Sequence, residues 1–140
     1  MASSILVTAT QRGSGKSTLA LGLVHLLEST LSRVGYFKPI GQRGMDGTDP
    51  DVRLMKDALG LEFSLEEMVH VTMDQVQEAL SNGTYDHLLD TILEAYEKIA
   101  SKCDFVVCEG TDYFGAMSAF EFDINADISK NLGSPVLLVA

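Results

Sequence analysis

Cysteine is scarce in this 140-residue chain: Cys103 and Cys108 are the two present, on either side of an apolar run that reads as a strand. An extended strand holds them beyond disulfide reach, and two thiols do not make a zinc site. The expectation is reduced core cysteines in a cytoplasmic protein. Long apolar runs are missing too. None approaches the roughly 18 residues of a membrane span, and no basic segment followed by an apolar stretch marks a secretory signal. The chain shows no internal repeat and no low-complexity tract. Basic residues are few: ten Lys and Arg against twenty Asp and Glu, a formal net charge of −10. That balance excludes a general nucleic-acid coat and a polybasic membrane sensor.

What is present can form a core. Hydrophobic residues make up 46% and charged residues 21%, at a length that suits one domain. The charge is lopsided. Residues 1–56 hold seven basic and four acidic side chains, whereas residues 57–140 hold three and sixteen. An anion-attracting first half is joined to an acidic second half.

Hydrophobic patterning alternates between strands and helices. Ile5 to Ala9 is short, apolar and β-branched, as a strand buried on both faces should be. A polar Gly-containing turn follows over Gln11 to Ser14. From Lys16 the apolar residues Leu19, Leu23, Leu26, Leu27 and Leu31 recur at helical spacing. Val34 to Lys38 supplies a second strand, which Pro39 should stop. A polar loop over 40–50 leads to a short helix from Asp51 to Leu59. Ser64 with Glu67, and Thr72 with Gln75, have capping-box spacing, the second opening a helix that ends near Asn82-Gly83. From Tyr85, the residues Leu88, Leu89, Ile92, Leu93, Tyr96 and Ile99 form a strong stripe, with Asp86, Asp90, Glu94 and Glu97 opposite. Phe105 to Cys108 is a third strand, Asp123 to Leu132 a helix, and Val136 to Val139 a fourth strand. The expected fold is α/β, a mostly parallel sheet with flanking helices. A final strand left half-covered implies that residues 1–140 are a single, incomplete domain of a longer protein.

The chemistry-bearing signal is Thr10-Gln11-Arg12-Gly13-Ser14-Gly15-Lys16-Ser17-Thr18 between the first strand and the first helix. Phosphate binding needs converging backbone N–H groups, hence glycines, and a helix N-terminus adds its dipole. Lys16 would neutralise β/γ-phosphate charge, and the Ser17 hydroxyl can join a Mg2+ shell. The P-loop pattern asks for glycine where Thr10 stands, so the match rests partly on context. The bland alternative is an ordinary Gly-rich turn capped by Ser14. A dinucleotide fingerprint fails, because Thr18 replaces its third glycine and Lys38 stands where an acid should meet a ribose.

Further candidates lie at the C-terminal ends of the other strands, where open α/β sheets bind ligands. Lys38 and Arg43 could face phosphates or an acidic substrate; otherwise Lys38 is a solvated surface lysine. Asp46, Asp49 and Asp51 suit Mg2+ or, as turn and cap residues, local structure, the second being preferred for Asp46. Glu109, at the tip of the third strand, is the favoured second metal contact. Asp112 and Glu121 are weaker candidates, and His25, His70 and His87, in helical or inter-helical stretches, have no partners at ligand spacing.

Taken in order, Thr10-x-x-x-x-Gly15-Lys16-Ser17, Tyr36-Phe37-Lys38-Pro39-Ile40 and Val107-Cys108-Glu109-Gly110 resemble dethiobiotin synthetase and its relatives. The stretch from Glu109 to Tyr113, continuing through Ser118 to Ala126 and Lys130 to Gly133, resembles the N-terminal P-loop domain of long-form phosphate acetyltransferase. The resemblance implies a P-loop NTPase-like, dethiobiotin synthetase-like fold truncated at its C-terminus, with a regulatory and oligomer-forming role. The acetyl transfer between coenzyme A and phosphate would lie in a domain beyond residue 140. It implies ATP or a related nucleotide with Mg2+ as ligands, bound by Gly13, Ser14, Gly15, Lys16, Ser17 and Thr18. Ser17, Asp51 and Glu109 would hold the metal, and Lys38 would match the substrate-side lysine of the synthetase. Gln11 departs from the P-loop aspartate of that enzyme and from the signature lysine of partitioning ATPases. Three readings follow: a nucleotide-binding regulatory domain of a homo-oligomeric phosphate acetyltransferase, an ATP-dependent synthetase in which Lys38 is catalytic, and a degenerate P-loop domain kept for subunit contacts.

Overall fold

A computed structural model describes residues 2–10, 15–43, 45, 47–111 and 118–140, the side chains of 118–122 excepted. Its elements are β1 (Ser3–Ala9), α1 (Lys16–Glu28), β2 (Val34–Gly41), α2 (Pro50–Leu59), α3 (Leu65–Met68), β3 (Val69–Thr72), α4 (Met73–Asn82), α5 (Tyr85–Ala100), β4 (Phe105–Glu109), α6 (Ser118–Leu132) and β5 (Val136–Val139). The strands form one sheet in the order β3-β2-β4-β1-β5. Every pairing is parallel, with Val7 opposite Glu109 and Tyr36 opposite Val107. All C-terminal strand ends therefore share one edge, the edge at which such sheets bind ligands.

Helices flank this sheet. α1, with α2 beside it, lies along β1, β2 and β4, and α5, with α4 and α6 beside it, lies along β2, β3 and β4. Coverage on both faces is why β2 is buried at all eight positions. The core centres on Leu6, Val7, Phe37, Met55, Met68, Ile92, Tyr96 and Ile99, with the Phe37 and Tyr96 rings 6.0 Å apart and tilted by 56°. On α5 the expected stripe faces inward, and Asp86, Asp90, Glu94 and Glu97 are all exposed. Both capping boxes form, Ser64 with Glu67 and Thr72 with Gln75. Cys108 is buried, Cys103 half-buried, and both are free thiols.

Four expectations need correction. No strand is expected between the two capping boxes, and His70 is expected in a helical or inter-helical stretch, yet Val69–Thr72 pairs with β2 and carries His70 on a strand. Four residues between two capping boxes are too short to show a period of their own. Pro39 does not stop β2. Pairing with β4 ends at Phe37 and pairing with β3 joins Lys38, Ile40 and Gly41, so Pro39 sits where its missing N–H costs no ladder bond. On α1 the buried residues are Lys16, Ala20 and Val24, while Leu26 is 65% exposed. Small side chains let that helix approach the sheet, and the leucines flank the contact. Finally, α6 begins at Ser118, earlier than Asp123.

Gly41 shows how closely β2, β3 and the following loop are fitted together. A methyl group there would lie 2.3 Å from Val69 Cγ2 and 2.8 Å from Asp49 Oδ2. Only glycine leaves room for both.

Candidate functional site

Gly15 caps α1 in a left-handed conformation, φ +90°. Non-glycine residues rarely adopt that backbone, so the sequence needs glycine at this position. The first turn of α1 contains no acidic side chain. The helix itself therefore sets no carboxylate of its own against those N–H groups and the dipole.

Lys16 and Ser17, on this first turn, meet the end of β4. Lys16 is 4% exposed; its Nζ donates to the Gly110 carbonyl at 2.6 Å and lies 3.6 Å from Glu109 Oε2. The Ser17 hydroxyl donates to the same Oε2 at 3.0 Å. The other oxygen, Oε1, accepts the hydroxyl of Tyr36 on β2 at 3.0 Å. Burial pushes the Glu109 carboxyl above the usual range, while Lys16 and Lys38 pull it back down. Burial also drives the Tyr36 phenol well up, reinforced by the negative charge of Glu109.

The backbone following Glu109 is anchored on both sides. Gly110 N–H donates to the Val7 carbonyl at 2.8 Å. The buried Asn125 on α6 accepts from the Thr111 N–H at 3.0 Å and donates to the Thr111 carbonyl at 3.3 Å. These contacts hold the Gly110 carbonyl that Lys16 uses.

A second charged group sits beside the first. Lys38 is 2% exposed, with Nζ 3.1 Å from Asp49 Oδ2 and 3.0 Å from Asp51 Oδ2. The solvated-surface alternative for Lys38 is thus wrong. Burial pulls its ammonium down, but Asp49, Glu109 and Asp51 outweigh that and hold it above the usual lysine range. Asp49 also caps α2, accepting from the Asp51 and Val52 N–H groups at 2.9 and 3.1 Å and from Gln42 N–H at 2.6 Å.

Of the residues singled out from the sequence, Gly15, Lys16, Ser17 and Glu109 come together directly. Lys38 and Asp51 lie in the adjoining ion-paired group, and Thr18 is on the exposed side of α1. Gln11, Arg12, Gly13, Ser14, Asp46, Asp112 and the Glu121 side chain lie outside the described residues. Tyr36 and Asn125 were assigned no role from sequence. A signal for Tyr36 existed: two residues before Lys38 on a strand, it points to the same face. Asn125 had none, because its partner is backbone fourteen residues away. Among the described residues no helix is long and apolar enough to cross a membrane.

Comparison with known proteins agrees with this geometry. Residues 3–140 match the AAA domain family. The chain is 41% identical, over its whole length, to a phosphate acetyltransferase of Nitratidesulfovibrio vulgaris, and 36% identical, over 99% of its length, to one of Synechocystis sp.. It spans about 20% of each of those proteins. It is also 31% identical over its whole length to an ATP-dependent dethiobiotin synthetase of Brachyspira hyodysenteriae, covering 66% of that enzyme. A parallel sheet with a Gly-capped Lys-Ser helix start against a strand-end glutamate, matched over residues 3–140, means that the chain belongs to the AAA domain family, as a P-loop domain of dethiobiotin synthetase-like type.

Proposed function

We propose that this chain binds the phosphates of ATP, or of a related phosphorylated metabolite, with Mg2+, and acts as a regulatory unit of a phosphate acetyltransferase. The observation that carries the reading is the convergence of Lys16, Ser17 and Glu109 on one point at the start of α1. The N–H groups of that turn would donate to phosphate oxygens, and Lys16 would exchange its carbonyl and carboxylate contacts for phosphate charge. The donor set suits Mg2+, since the Ser17 hydroxyl and the Glu109 carboxylate are hard oxygen ligands and the 29%-exposed Asp51 carboxylate is close by. When bound, Mg2+ would neutralise charge on the β- and γ-phosphates. Acetyl transfer is assigned to other parts of the full-length protein, because the chain is about one fifth of its phosphate acetyltransferase relatives. The same reading carries a cytoplasmic homo-oligomer with a nucleotide ligand and no nucleic-acid or membrane partner.

Calorimetry with MgATP on the wild type and on Lys16→Ala tests it. Binding in the wild type that is strongly weakened in the variant is the expected result. Equal heats, or none from the wild type, sink it.

The second reading is an ATP-dependent synthetase in which Lys38 holds a carboxylate or carbamate for phosphorylation. Similarity over the whole chain to 66% of a dethiobiotin synthetase favours it. The two carboxylates already paired with Lys38 weigh against it, since an anionic substrate would have to displace them. Steady, substrate-dependent release of phosphate from ATP would establish it.

A further inference from the structure

We propose that Tyr36 is the positioning residue that aims Glu109 at the cation side of the phosphate site. The inference rests on reading Ser17 and Glu109 as the magnesium-side ligands.

The argument begins with register. Tyr36 lies opposite Val107 across β2 and β4, and Glu109 is two residues further along, so both side chains project from the same face. The separation is diagonal. A phenol is long enough to bridge it, and its hydroxyl reaches Oε1 at 3.0 Å. Both residues are 0% exposed, so water does not compete for this contact. A glutamate has three side-chain torsions, and a carboxylate held at one oxygen cannot swing or rotate freely. Fixing Oε1 leaves Oε2 turned to Ser17 and Lys16, at 3.0 and 3.6 Å. The tyrosine ring is itself immobilised in the core of the sheet. This is the arrangement by which outer partners orient metal-binding carboxylates, and losing such a partner commonly lowers metal affinity by about 10–100-fold.

The test is made on the full-length protein with Tyr36→Phe, which keeps the ring and deletes the hydroxyl. ATP binding is titrated without Mg2+, then at fixed ATP with increasing Mg2+. The expected result is ATP affinity without the metal unchanged within about two-fold and Mg2+ affinity reduced by about ten-fold. In a Glu109→Gln background, Tyr36→Phe should add nothing further. Unchanged Mg2+ dependence overturns the proposal, as does an equal loss of metal-free binding or an added loss in the Glu109→Gln background. Absence of nucleotide binding in the wild type removes the site reading and this inference together; wild-type binding with an unaffected Tyr36→Phe removes only the inference. Thermal melts accompany each titration, and Tyr36→Met is the second variant. If neither variant folds, the hydroxyl is a structural requirement and the proposal falls.

Discussion

Lys16 and Lys38 are both nearly fully buried at the same edge of the sheet, at 4% and 2% exposure, and both face carboxylates. Their acids are anchored differently. Glu109, beside Lys16, is held by the hydroxyls of Ser17 and Tyr36. Asp49, beside Lys38, is held by three backbone N–H groups while capping α2. Side-chain contacts can be exchanged for ligand oxygens without disturbing the chain path. Backbone contacts cannot, because releasing them uncaps a helix and frees the loop between β2 and α2. Similar ingredients at one sheet edge are thus anchored by exchangeable side-chain contacts in one case and by backbone in the other, as the proposed ligand site and a brace would require.

The most severe way to break this contrast is Asp49→Ala. It strands Lys38 with the partly exposed Asp51 and removes a helix cap, so a loss of about 3–5 kcal/mol in urea unfolding is expected, on the scale of breaking a buried ion pair. A loss under about 1 kcal/mol, the range of a surface pair, would show that Asp49 is no brace. Lys16→Ala probes the other group. It should weaken MgATP by roughly 10- to 100-fold in the calorimetric titration, the scale of one charge-assisted hydrogen bond at about 1.5–3 kcal/mol. Gly41→Ala sharpens the brace side, since its methyl would press on Val69 and Asp49. Overpacking of this kind costs about 1–3 kcal/mol, and an unaltered melting curve would mean that the contact relaxes freely. The smallest effect is expected from Thr72→Ala, at the end of β3 and outside both lysine–carboxylate groups. It removes one half of the α4 capping box for about 1 kcal/mol, with MgATP binding unchanged.

Much of the fold was readable where local signals ran long enough. The apolar runs of β1, β4 and β5, the stripe on α5 and the two capping boxes all appear where the sequence placed them. Glu109 was readable as a candidate because it ends a buried strand near Gly15-Lys16-Ser17, and the structure places it against Lys16 and Ser17. β3 was hidden by its brevity. The extent of β2 was misjudged because the penalty at Pro39 depends on which side its neighbour lies. The leucines of α1 have helical spacing but not the buried face, which depends on how closely the helix approaches the sheet. Lys38 could be placed at the ligand edge, but its pairing with Asp49 and Asp51 needed the path of the intervening loop.

The sequence alone determined the alternation of strand and helix, the need for glycine ahead of Lys16, and the gathering of basic residues in the first half of an acidic chain. These follow from period, backbone sterics and composition, which are local properties. Only the tertiary structure decided which carboxylate meets which lysine, and that Tyr36 reaches Glu109. Those contacts depend on strand order and register: β2 and β4 are neighbours in the sheet, although about seventy residues separate Tyr36 from Glu109.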